Sequence, residues 1–126
     1  LFIGDIIGRP GRNALKTWLQ PWVEAHAIDL VVGNGENAAG GMGLTTRVFD
    51  DLLAMGIDVI TSGNHIWSKK EIYPTLNRSD QVLRPANYPD SVPGKGYAIH
   101  TVKGHKILIL NLEGRVFMKS LECPFR

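Results

Sequence analysis

An α/β fold with a mostly parallel sheet is what this chain predicts, and three observations carry the prediction. Apolar, largely β-branched runs recur at residues 1–3, 30–32 and 58–61. Between them lie stretches with helical spacing of apolar residues, long enough to cross from one parallel strand to the next. Toward the end, two further apolar runs flank Lys103-Gly104, the pattern of a hairpin. Strands that alternate with helices build a parallel sheet by right-handed crossovers.

Taken in order, residues 1–3 predict a short buried strand ended by Gly4-Asp5, and residues 6–11 a loop broken by Gly8, Pro10 and Gly11. A helix is expected from Arg12, because Leu15, Trp18, Leu19 and Trp22 fall at i, i+3, i+4 and i+7. That spacing assigns both tryptophans to core or helix packing. Pro21 is expected to kink this helix or to begin a second one, since its ring lacks the N–H an interior position needs. Residues 30–32 read as a second buried strand, and residues 34–44, with Gly35, Gly40, Gly41 and Gly43, as a loop.

Thr45 or Thr46 can cap the next helix, whose inward face is Val48, Phe49, Leu52 and Leu53 and whose end is marked by Gly56. Residues 58–61 form the third strand. Ser68 and Glu71 have capping-box spacing, so a helix is expected from Lys69 to about Leu76. Residues 77–96, with Pro85, Pro89 and Pro93, read as loop around a short strand at Val82-Leu83. Residues 97–102 and 106–112 are the arms of the hairpin.

The bulk numbers bound the class. With 126 residues, 44% of them hydrophobic, the chain can bury a core, and no repeat or linker divides it. A net charge of +2, with both signs interspersed, argues against a dedicated nucleic-acid or membrane surface. No apolar run nears the roughly 20 residues of a membrane span. No basic leader with an apolar core is seen, so no signal peptide is expected, and the single Cys123 fits a reducing cytoplasm. The chain opens inside a strand without Met and stops without a natural terminator, so a piece of a longer protein is expected.

Chemistry is concentrated at three strand ends: Asp5, then Glu36 with Asn37, then Asn64 with His65. Parallel strands in one sheet bring such ends to one edge, where open α/β sheets hold ligands. Two carboxylates, two amides and an imidazole, without thiolate, suit Mn, Fe, Mg or Zn. Singly, each residue reads better as a turn former or structural polar group: Asp5 as a turn or cap, Asn34 and Asn64 as turn residues, His65 as a satisfied histidine. Recurrence at three ends in succession favours a shared metal site. His26, His100 and His105 lack ligand spacing, Lys69-Lys70 reads as a solvated helix start, and no P-loop sequence occurs.

Gly4-Asp5, Gly35-Glu36-Asn37 and Gly63-Asn64-His65, each after a strand, resemble the calcineurin-like metallophosphoesterases. The text around them is similar to one bacterial branch, the YmdB-like cyclic-nucleotide phosphodiesterases: residues 1–8, 34–41, Leu83-Arg84-Pro85-Ala86-Asn87-Tyr88-Pro89 and Gly114-Arg115-Val116-Phe117-Met118. The resemblance covers essentially the whole chain. It implies an α/β/β/α sandwich, of which residues 1–126 are the N-terminal part of a single domain with no internal boundary. It further implies two divalent metal ions, Fe or Mn before Mg or Zn, with Asp5, Glu36 and Asn37 on one ion and Glu36 and Asn64 on the other. His65 would be the proton donor, and a metal-bridged hydroxide the nucleophile.

Hydrolysis of a 2′,3′- or 3′,5′-cyclic nucleotide, or a similar small phosphodiester, is the implied activity of a cytoplasmic parent protein, for which a homo-oligomer is one option. The 126-residue chain alone is expected to be inactive, because the family draws three further histidine ligands from its second half. Ser68 stands where the family pattern has an Asp that orients the histidine, so His65 is expected to be held less firmly. The alternative is a truncated or inactive family member acting as a metal- or nucleotide-binding regulatory module. The contiguous Ser62-Gly63-Asn64-His65 spells the name of another hydrolase class, yet that class needs a Ser after Gly-Asp, where this chain has Ile6.

Overall fold

The structure, a computed structural model, describes residues 1–125. Three strands, β1 (Phe2–Ile3), β2 (Val32–Asn34) and β3 (Val59–Thr61), form a parallel sheet in sequence order. Helix α1 (Gly8–Ala25) crosses from β1 to β2, and α2 (Thr46–Ala54) from β2 to β3. After β3 come two 3₁₀ turns (Asn64–Ser68, Lys70–Ile72), the short α3 (Tyr73–Arg78), and a hairpin of β4 (Tyr97–Val102) and β5 (His105–Leu110). The mixed α/β class with a parallel sheet and a terminal hairpin is as predicted. No helix among the described residues is long and apolar enough to cross a membrane.

Alternation along the strands sorts the core into two layers. Ile60 and Val82 point to the side of α1 and α2, joining Leu19, Phe49, Leu52 and Leu44. Val32, Val59 and Leu83 point to the opposite side and meet Ala98 and Ile109 of the hairpin. Val82-Leu83 extends the sheet as a parallel bridge beside Ile60, with Ile60 N–H donating to Gln81 at 2.7 Å and Leu83 N–H to Ile60 at 2.8 Å. The order of layers is therefore helices, parallel sheet, hairpin.

Several local expectations are corrected. Helix α1 begins at Gly8 rather than Arg12, because Pro10 sits in its first turn, where a missing N–H costs nothing. The same helix runs through Pro21 without a break. Pro21 and Thr17 are both exposed, so the carbonyl that loses its donor stays hydrated. The helix expected from Lys69 starts only at Tyr73, and no Ser68 side chain caps it. Pro74 lies at the start of α3 and would have interrupted a helix begun at Lys69.

Strand β2 is shifted two residues later than its apolar run, since pairing sets the register: Phe2 lies opposite Val32, and Asn34 opposite Thr61. Strand β1 is an edge rather than a buried strand, with Leu1 and Phe2 exposed. Trp18 and Trp22 are not core residues either: they are 63% and 54% exposed. The inward line of α1 is Leu15, Leu19 and Val23, and the two indoles overhang the sheet edge beside Leu1 and Phe2, around a cleft of about 290 Å³.

Other signals hold as read. Thr45 Oγ accepts from Val48 N–H at 3.2 Å and caps α2. Gly56, at φ +105°, closes that helix after Met55. Lys103 and Gly104, both at positive φ, make the two-residue turn of the hairpin.

Candidate active site

Because β1, β2 and β3 are parallel, their C-terminal ends open on one edge. Two backbone bonds carry the pairing past the strands: Ile6 N–H donates to Asn34 at 2.9 Å and Gly35 N–H to Thr61 at 3.0 Å. The loops bearing Asp5, Glu36 and Asn37, and Asn64 and His65 thus leave the sheet in register.

Four of the five predicted residues are joined by hydrogen bonds. The Asn37 amide Nδ2 donates to both oxygens of Asp5, at 2.9 and 3.0 Å. Its Oδ1 lies 2.5 Å from His65 Nδ1. The His65 backbone N–H donates to Glu36 Oε2 at 3.0 Å. Glu36 N–H in turn donates to Asn34 Oδ1 at 3.2 Å, which tightens the turn after β2. Asn64, half-buried, is placed beside them by the chain, as the first residue of the 3₁₀ turn that follows Gly63.

The imidazole is oriented through this network. The Asn37 amino group faces Asp5, so its oxygen faces His65, and an amide oxygen only accepts. With that arrangement Nδ1 is the donor to Asn37, and Nε2 has no hydrogen-bond partner among the described residues. Ser68 is exposed, and Asn37 is what holds the ring.

Gly63 makes the crowding feasible. A Cβ there would stand 2.7 Å from both carboxylate oxygens of Glu36, closer than any real side chain packs. The Glu36 carboxylate thus occupies the space a side chain would claim, with the His65 amide on one of its oxygens.

Trp67 anchors the 3₁₀ turn that carries His65. Its ring meets Tyr73 edge-on at 6.0 Å and Tyr88 at 5.1 Å, and the Tyr73 hydroxyl donates to the Trp67 carbonyl at 3.4 Å. Each aromatic pair contributes on the order of 1 kcal/mol beyond area burial.

Behind this turn lies a residue that sequence reasoning missed. Glu113 is only 7% exposed. Its backbone is clamped by Asn87, whose Oδ1 accepts from Glu113 N–H and whose Nδ2 donates to the Glu113 carbonyl, both at 2.9 Å. The Tyr88 hydroxyl donates to Oε1 at 3.4 Å, while Oε2 is buried without a partner among the described residues. Burial pushes the Glu113 carboxyl above its ordinary range, and the Glu36 charge pushes the same way, against the Tyr88 bond, Lys119 and His65. Burial likewise raises the Tyr88 phenol, with Glu113 and Glu36 adding to the effect. A signal existed: Leu110-Asn111-Leu112-Glu113-Gly114 repeats the plan of an apolar run ending in an acid and a glycine.

Among the described residues no three His, Cys, Asp or Glu side chains converge as a metal cluster, so any ligand set here must include the asparagines. The oxygen and imidazole donors, free of thiolate, match a hard or borderline divalent ion.

The YmdB-like protein family matches residues 1–126. The chain is 41% identical over 125 residues to a 2′,3′-cyclic-nucleotide 2′-phosphodiesterase of Bacillus subtilis (strain 168), covering 99% of this chain and 47% of that protein. Among solved structures it is similar to a hypothetical protein from Thermus thermophilus, with a TM-score of 0.90, 44% identity, and coverage of 98% of this chain and 48% of the other. A second is a novel phosphatase from Mycoplasma pneumoniae, with a TM-score of 0.91, 32% identity, and coverage of 98% and 46%. The chain thus spans about half the length of the curated relatives it matches. A family match from the first residue to the last and two close structural superpositions leave one conclusion about kinship: the chain belongs to the YmdB-like family.

Proposed function

We propose that this chain is the N-terminal part of a single-domain, calcineurin-like metallophosphoesterase that hydrolyses cyclic nucleotides with two divalent ions, Fe or Mn before Mg or Zn. The observation that carries the reading is the hydrogen-bonded set Asp5–Asn37–His65–Glu36 at one edge of a parallel sheet, with Gly63 cleared for a carboxylate. The name of the Bacillus subtilis relative, a cyclic-nucleotide phosphodiesterase, supports the substrate class. The absence of a long apolar helix among the described residues and the single Cys123 are in keeping with a cytoplasmic setting.

In this reading Asp5, Glu36 and Asn37 would hold one ion, and Glu36 and Asn64 the other. The chemistry such ions would supply is polarisation of the phosphoryl oxygens and activation of water near neutral pH. The chain supplies the rest. Glu36, kept in place by the His65 amide and the open space at Gly63, sets where the acidic charge lies. Asn37 and Asn64 add oxygen donors without adding negative charge, which keeps the site attractive to a phosphate. Asn37 Oδ1 has two lone pairs, enough to hold both His65 and an ion. His65, oriented through Nδ1, presents Nε2 to protonate the departing ribose oxygen.

Four oxygen-donor residues do not close two coordination shells, so the isolated chain is inactive in this reading and the intact protein is the enzyme. The test is to strip the intact protein of metal, reload it with Mn or Fe, and measure hydrolysis of 2′,3′- and 3′,5′-cyclic nucleotides together with metal per chain. Turnover with two ions per chain is expected. Neither tight metal nor turnover would sink the enzyme reading and favour a regulatory binding module.

A further inference from the structure

Although the formal charge of the chain is only +2, its cations are not evenly spread. Between α1 and α2 runs a groove of about 740 Å³ lined by Arg9, Arg12, Lys16 and Arg47, with Asp51 as its one carboxylate. Arg9, Arg12 and Lys16 stand at i, i+3 and i+7 on one face of α1, about 10 Å of helix from first to last. Arg47 rises from the first turn of α2 on the other wall. None of the four is in an ion pair among the described residues: the two pairs found there are Lys95–Asp80 and Lys103–Asp29. Four unpaired cations around one carboxylate repel one another, and an anion laid along the groove relieves that repulsion.

The groove also has a direction. The Arg12 guanidinium donates to the Ala38 carbonyl, and Gly8 N–H, in the first turn of α1, donates to the Asn37 carbonyl at 2.9 Å. Its upper end therefore abuts the loop that presents Glu36 and Asn37 to the catalytic edge. Three of the four cations are arginines, whose planar forks grip phosphate oxygens in pairs.

We propose that this groove binds the phosphate backbone of single-stranded RNA and guides an RNA 3′ end carrying a 2′,3′-cyclic phosphate to the catalytic edge. Binding of an anionic polymer stands on the groove alone, and its identity as RNA and its guiding to the edge rest on the phosphodiesterase reading above. At the RNA end the reaction is a hydrolysis: one ring P–O bond breaks, water adds its hydroxyl to phosphorus, and its proton goes to the released ribose oxygen. An acidic peptide would satisfy the same charge, since carboxylates also fit guanidinium forks; the phosphodiester-cleaving edge at the groove's upper end is what selects RNA.

The experiment uses the intact protein and a fluorescent ten-nucleotide oligouridylate, with anisotropy followed against salt. The variant is Arg9→Glu/Lys16→Glu/Arg47→Glu, three exposed positions, with the all-Gln version as a second variant should charge reversal disturb folding by circular dichroism. Binding at about 0.15 M salt is expected, weakened about tenfold or more in the variant, with the log–log salt slope shallower by about 2. KM for an oligouridylate ending in a cyclic phosphate should rise by a similar factor, while kcat and KM for a cyclic mononucleotide stay unchanged. Absence of RNA binding by the wild type, equal binding by both variants, or equally strong binding of a ten-residue polyglutamate would each overturn the proposal. A wild type that binds RNA but cleaves no cyclic phosphate would instead overturn the phosphodiesterase reading and leave the groove standing.

Discussion

At the C-terminal edge of the parallel sheet, Asp5, Asn37, His65 and Glu36 bond one another, whereas on the outer face of the hairpin Tyr97, Ile99, Leu108 and Leu110 stand more than half exposed. Both regions follow from strand alternation. At the edge, polar groups have found partners within the chain, and crowding is tight enough that Gly63 has no room for a Cβ. On the hairpin, the inward face covers Val59 and Leu83 through Ala98 and Ile109, while the equally apolar outward face covers nothing. Phe2, Trp18 and Trp22 make a second uncovered face along β1.

Burying a side chain of that size gains roughly 1.5–3 kcal/mol, and contiguous apolar patches of this kind mark contact surfaces. The contrast teaches that local order of a site does not require the whole shell around it. It also supports reading the chain as part of a larger domain.

The largest effect expected at the edge comes from His65→Ala in the intact protein. Hydrolysis should fall by about 10²–10⁴-fold with metal content preserved, and undiminished turnover would remove His65 from its role. Next, Gly63→Ala should displace the Glu36 carboxylate from its place 2.7 Å from the new Cβ. Metal affinity and kcat should both drop, by roughly tenfold to a hundredfold, while an active variant with normal metal content would show that the crowding is dispensable.

Leu108→Lys probes the open face instead. If that face is covered in the intact protein, unfolding there should become easier by about 2–4 kcal/mol. The isolated chain should lose no stability and should self-associate less in sedimentation. Equal tolerance in both settings would break the contrast between the regions.

The smallest effect belongs to Glu113→Gln. Burial raises the folded carboxyl above its ordinary value of 4.5, so the metal-free native state binds a proton that the unfolded chain releases. Stability from this group is therefore full below that value and is lost as pH rises through the folded one. The Gln variant should melt higher than wild type near neutral pH, with the gap closing as pH falls toward 4.5. A gap that widens on acidification would contradict the raised pKa.

Much of this was legible beforehand; Pro10 and Pro74 moved two helix starts through local chemistry, and the larger exceptions came from contacts across the fold. The α/β class, the Thr45 cap, the Gly56 stop and the Lys103-Gly104 turn rest on local chemistry, where spacing and φ requirements act within a few residues. The candidate site was legible for a related reason, since each strand end carries its own Gly-acid or Gly-amide mark. Glu113 escaped because its burial depends on Asn87 and Tyr88, distant in the chain. Trp18 and Trp22 were misread because helical periodicity finds an apolar face and says nothing about what packs against it.

By itself, then, the sequence determined the order and type of the main helices and strands, and which polar residues close the three strands, because those outcomes depend on neighbours along the chain. Only the tertiary structure decided the two-residue shift of β2, the partner that holds His65, the place of Glu113 and which apolar faces stay open. Those outcomes turn on register and on contacts across the fold, where a residue's neighbour is chosen by packing.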